Sequence, residues 1–156
     1  MKLITVLASS VLILAGAAAL TSAEEQHKII AAPDIQWAPA PAAMPSGAQT
    51  VVLYGDPSKD QLFVMRLKVP SGYKIPPHTH PKPEVVTVIS GTMKLGMGET
   101  ADESKAQTLP AGSFFTLAPN TPHYVFAVDE TVVQLSAIGP WGITYVNPKD
   151  DPRQSQ

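Results

Sequence analysis

Cysteine is absent from the 156 residues, so no disulfide staples the fold and no thiolate can ligate a metal. Any bound cation must be held by nitrogen and oxygen. Charge is sparse and balanced, 11 basic against 13 acidic residues for a formal net of -2, and the lysines and arginines are scattered. That excludes the basic surface a nucleic-acid partner needs to release counterions from phosphate. A convincing helical period is missing from residue 24 onward, and the histidine-bearing stretch has no internal repeat, so a single unit is expected. What the chain has instead is 16 prolines and 10 glycines set between short β-branched runs. This pattern reads as many short strands joined by tight turns.

Residues 1–23 read as a Sec-type signal peptide. Lys2 gives a positive start, Leu3 to Leu20 is almost wholly apolar, and Thr21-Ser22-Ala23 supplies small residues before a cut at Glu24. The alternative is an uncleaved membrane anchor, since the apolar run nears spanning length. A periplasmic or secreted location is expected, with no stable membrane anchor after cleavage. Without a twin-arginine pair the chain is expected to cross unfolded and to acquire metal outside the cytoplasm, where the affinity order favours copper or zinc.

Residues 24–48 form a Pro/Ala-rich arm, with Pro33, Pro39, Pro41 and Pro45 forbidding a helix interior or a central strand. An edge-hugging path pinned by Trp37 is expected. His27 in this arm reads as a solvated side chain. Residues 49–146 carry eight or nine strand signals of about five to eight residues. In Gln61 to Val69 the alternation puts Phe63, Met65, Leu67 and Val69 on one face and leaves Arg66 on the other. Residues 147–156 are a charged tail. The whole reads as an all-β sandwich or barrel.

His78 and His80 are two apart, so on an extended strand both imidazoles leave one face, and Glu84 keeps that parity. His123 lies in a second segment punctuated by Gly112, Pro119 and Pro122. Gly72, His78, His80, Glu84 and Gly91 meet every spacing of the first motif of the cupin superfamily, which this stretch resembles. The second cupin motif is met in part. Gly112 and His123 are in register, while Ala118, Asn120 and Ala127 stand where the family has Pro, Gly and Asn; Asn120 is the best non-glycine choice for a left-handed backbone. The resemblance covers roughly residues 50–138 and is similar in kind to small, exported, single-domain cupins.

It implies a jelly-roll β-barrel in which His78, His80, Glu84 and His123 surround one divalent transition metal. Three neutral nitrogens and one carboxylate oxygen suit Zn, Cu, Fe, Mn or Ni and leave one or two positions for water or substrate. The alternative is that these residues are surface polar groups of an unmetallated barrel. Parity places Val86 and Val88 with the first ligands and Val125 with His123. Phe63, Met65, Met93, Leu95, Met97 and Phe114 are expected to complete an apolar pocket wall. Glu84 is the candidate catalytic base, since no other acid or base can be named.

A pocket without a separate acid or base favours chemistry done by the metal, so a dioxygenase-type oxidoreductase acting on a small organic molecule is expected first. Decarboxylase or isomerase chemistry through Glu84 stays open. The alternative class is a non-catalytic cupin that binds a small ligand through its metal or stores the metal. Resemblance to other single-domain cupins implies a homodimer.

Overall fold

The computed structural model describes residues 27–155; the expected signal peptide lies outside them. The strands are β1 Ala38–Pro39, β2 Gln49–Tyr54, β3 Leu62–Val69, β4 Lys74–Thr79, β5 Glu84–Ser90, β6 Thr92–Met97, β7 Gln107–Pro110, β8 Phe114–Leu117, β9 His123–Ala127, β10 Thr131–Ile138 and β11 Thr144–Tyr145. Among the described residues the helical turns are short 3-10 segments, and none is long and apolar enough to cross a membrane.

Two antiparallel sheets pack face to face. One has the order β1-β2-β3-β10-β5-β8, the other β11-β4-β9-β6-β7. In β3 the alternation works as period two demands: Phe63, Met65, Leu67 and Val69 are buried, and Val64, Arg66 and Lys68 are half-buried on the opposite face. Each such inward side chain contributes roughly 1.5–3 kcal/mol on burial. Arg66 donates from Nε to Gln134 Oε1 at 3.1 Å across the β3–β10 ladder, on the outer surface.

Two turn positions need a left-handed backbone. Gly91 joins β5 to β6 with φ 75°, and a Cβ there would run into the Glu130 carbonyl oxygen. Asn120 has φ 57° at the position where the cupin motif has glycine, and its N–H donates to the His80 carbonyl at 2.8 Å. The substitution keeps the turn and clamps the segment before His123 to the one after β4.

Glu84 does not share the strand of His78 and His80, against the expectation from parity. His78 lies on β4 and His80 just past its end, but Glu84 opens β5, which belongs to the other sheet. Between them Pro81, Lys82 and Pro83 carry the chain from one sheet to its partner. Glu84 therefore approaches the histidines from across the interior, not along their strand.

The Pro/Ala arm runs along the sheet edge: β1 pairs with β2 through Ala38↔Thr50 and Pro39↔Gln49. Lys68 Nζ sits 4.8 Å over the Trp37 ring, a cation–π contact that ties the arm to the outer face of β3. The arm then turns inward. Tyr73 donates its hydroxyl to the Pro45 carbonyl at 2.6 Å, and Tyr145 to the Ala43 carbonyl at 2.8 Å. Met44 and Ala48 join the main core, so the barrel's packing begins inside residues 24–48. In the tail, Arg153 meets Asp151 at 2.7 Å and reaches the Ile143 carbonyl at 3.3 Å.

Candidate metal centre

Antiparallel pairing of β4 with β9 sets His78 opposite His123, with ring centroids 4.1 Å apart. His80 lies 4.9 Å from His78 and 5.3 Å from His123, again between centroids. All three are buried. Each offers a ring nitrogen within 4.8 Å of the others. These three nitrogens could together hold one divalent transition-metal ion.

The other ring nitrogens decide the tautomer. Nδ1 of His78 faces the Pro76 carbonyl at 2.7 Å, Nδ1 of His80 the Gly142 carbonyl at 2.7 Å, and Nδ1 of His123 the Thr121 carbonyl at 3.0 Å. A carbonyl only accepts, so each Nδ1 carries the proton and each Nε2 keeps a free lone pair. Burial drives the His78 pKa down to about 2, helped by its histidine neighbours, and that of His80 to about 4; His123 is also lowered by burial. Three neutral imidazoles arranged in this way could hold a cation.

Glu84 stands beside this cluster, not within it. Its Oε2 lies 3.5 Å from His80 Nε2. With His80 neutral this is no ion pair but two lone pairs facing each other, an arrangement that a proton or a metal relieves. Burial raises the Glu84 pKa to about 7, against the opposing hydrogen bond from Trp141. That bond runs from Trp141 Nε1 to Glu84 Oε1 at 2.6 Å. The same indole stacks on His80 with centroids 5.3 Å apart and planes 19° from parallel.

Beneath the cluster is a cavity of about 70 Å³, lined almost wholly by apolar side chains. Of the expected pocket residues, Val86, Met93 and Val125 line it. Phe63 and Met65 pack in the main core without reaching it; Val88 lies in a second small core where Leu95 packs. Phe114 is 60% exposed and Met97 53%, so both are corrected to the surface. Phe115 takes the inward place because it pairs with Val86, and Leu117 with Glu84. Adjacent phenylalanines give alternation no phase, so only the ladder could choose.

Residues that sequence reasoning missed complete the wall: Met44 from the arm, Leu67 and Leu135 from the sheet, and Trp141 and Ile143 after β10. The stretch Gly139 to Ile143 is anchored on the β2–β3 loop. Trp141 N–H donates to the Pro57 carbonyl at 2.7 Å and Gly139 N–H to that of Gln61 at 3.0 Å. A Cβ on Gly139 would run into the carbonyls of Lys59 and Pro57. The signal for Trp141 was a lone indole beside glycines, which does not tell a core side chain from a site residue. Gln134 is on the outer face with Arg66.

Two antiparallel sheets closed around an apolar cavity, with three inward histidines, give this chain a cupin-type fold. The chain belongs to the family described as domain of unknown function DUF4437, which it matches over residues 12–141. No curated protein matches it. Among solved structures it is similar to the polyketide cyclase RemF from Streptomyces resistomycificus, at 16% identity and TM-score 0.68, over 83% of this chain and 92% of that one. It is similar to an RmlC-like cupin from Shewanella frigidimarina, at 13% identity and TM-score 0.57, over 72% and 91%. An oxalate oxidase shares 22% identity at TM-score 0.51, over 69% of this chain and 59% of that one. These likenesses establish the fold.

Proposed function

We propose that this chain is an exported, metal-dependent cupin enzyme that oxidises a small, mostly apolar organic molecule in a dioxygenase-type reaction. The observation that carries the reading is the convergence of three Nε2 lone pairs, each fixed by an Nδ1 hydrogen bond, above an apolar cavity. A divalent transition metal held by His78, His80 and His123, with Glu84 adjoining, would supply a Lewis acid or an oxygen-activating centre.

The chain's own residues do the rest. The wall excludes water and offers no cation for a second carboxylate: Arg66 and Lys68 belong to the opposite face of β3. Besides the imidazoles, Glu84 and Tyr73 are the titratable groups lining the cavity among the described residues, and the Tyr73 hydroxyl is committed to Pro45. A fitting substrate therefore has one oxygen-bearing head and an apolar body of few atoms. Export rests on Lys2 and the apolar run to Leu20, and the homodimer is carried from the cupin resemblance.

A second reading has its own observation. Glu84 is buried, with a pKa raised to about 7, the range of an effective general base, which suits isomerisation or decarboxylation. An oxalate oxidase and a polyketide cyclase both carry this fold, so fold alone does not choose. Protein purified from its native compartment should hold one metal per chain and consume oxygen with some member of a phenolic, enolic and thiol panel. Deuterium exchange from solvent into substrate without oxygen uptake would move the assignment to the second reading. Metal and ligand retention with neither reaction would make the protein a binding module.

A further inference from the structure

The segment after β10 touches the centre at two points. Its Gly142 carbonyl fixes the His80 tautomer, and its Trp141 indole both stacks on His80 and donates to Glu84. At 2.6 Å the Trp141–Glu84 bond is short for an N–H donor, as expected of one made to a carboxylate. It occupies Oε1 and leaves Oε2 on the side of His80 Nε2. No other side-chain hydrogen bond to Glu84 is found among the described residues, so the indole alone orients that carboxylate.

Resting on the metal-centre reading above, we propose that Trp141 is a positioning residue that makes Glu84 a one-oxygen partner of the three-histidine site. By engaging Oε1 it prevents two-oxygen coordination and keeps a position free for an outside ligand. Glu84 would otherwise be free to turn both oxygens toward the cation, as carboxylates with no second partner do. The backbone that carries the indole is tied to the Pro57 carbonyl, so the orientation is inherited from the β2–β3 loop.

The experiment loads the mature protein with Co2+ and reads both affinity and visible absorption, whose position and intensity follow coordination number. Trp141→Phe keeps a ring on His80 and removes the donor. It should weaken Co2+ roughly ten- to hundredfold, as loss of a partner to a ligand does, and lower the band intensity as a second oxygen joins the metal. In Glu84→Gln the Trp141→Phe change should add nothing further. Wild-type affinity and spectrum in W141F, or a full additional loss in the E84Q background, would overturn the proposal. Should W141F fail to fold, replacing Trp141 by benzothienylalanine, which keeps the bicyclic ring and lacks the N–H donor, gives the same readout. Failure of the underlying reading looks different: wild type would take up no Co2+, or His123→Ala would bind it as tightly as wild type, and both ideas would go together.

Discussion

The two halves of the centre are held in different ways. His78 and His123 face each other across one ladder, and each anchors Nδ1 on the carbonyl two residues before it, Pro76 and Thr121. His80 and Glu84 depend on partners 62 and 57 residues away, Gly142 and Trp141. The first half is a property of a strand pair and forms whenever that pair forms. The second half exists only when the chain beyond β10 has docked. The β4–β9 ladder thus supplies two of the three imidazoles locally, and the remaining groups report on the closure of the whole barrel.

The largest expected effect comes from the local half. Replacing His78 and His123 together by alanine leaves one imidazole and should abolish metal retention through dialysis, measured as metal per chain. Full occupancy in that variant would remove the basis for the comparison.

Next in size is a disturbance of the docked half alone. Gly139→Ala drives a Cβ into the carbonyls of Lys59 and Pro57 and should cost about 1–3 kcal/mol in denaturant unfolding. It should also weaken metal binding, since the segment holding Gly142 and Trp141 must shift. Gly142→Ala is the control: nothing lies within 4 Å of its added Cβ, and stability should stay within about 0.5 kcal/mol. Equal effects from the two substitutions would mean that docking is not what holds His80 and Glu84.

A smaller, graded effect is expected from pH on metal-free protein. The folded pKa values of His78, His80 and His123 lie below the unfolded value of 6.5. Their contribution is therefore complete above about pH 6.5 and is lost on acidification, because the unfolded chain binds the protons. Glu84 acts oppositely. Its folded pKa of about 7 exceeds 4.5, so its contribution is complete below pH 4.5 and is lost as pH rises through 7. Three histidines outweigh one carboxylate, so Tm should fall between pH 6.5 and 4.5. Glu84→Gln removes the opposing group and should steepen that fall; a Tm profile that stays flat in both proteins would contradict the burial argument.

Much of this was legible in the residues. Alternation in β3 identified its buried face, since period two is a local property of an extended chain. The spacing of Gly72, His78, His80, Glu84 and Gly91 pointed to the cupin fold, and Asn120 occupies the left-handed turn that the resemblance implies. Neighbouring apolar residues were harder. Phe114 and Phe115 are chemically equivalent, and the β5–β8 register alone turned the second one inward.

The sequence by itself determined where most strands run, which face of β3 is buried and which histidines are candidates for one site, because each follows from spacing along an extended backbone. Tertiary structure alone decided that Glu84 comes from the opposite sheet, that Met44 of the arm joins the wall, and that Trp141 grips the carboxylate. Those contacts join positions far apart in the chain. Their geometry is set by sheet order and by where the last segment docks, and no local period encodes either.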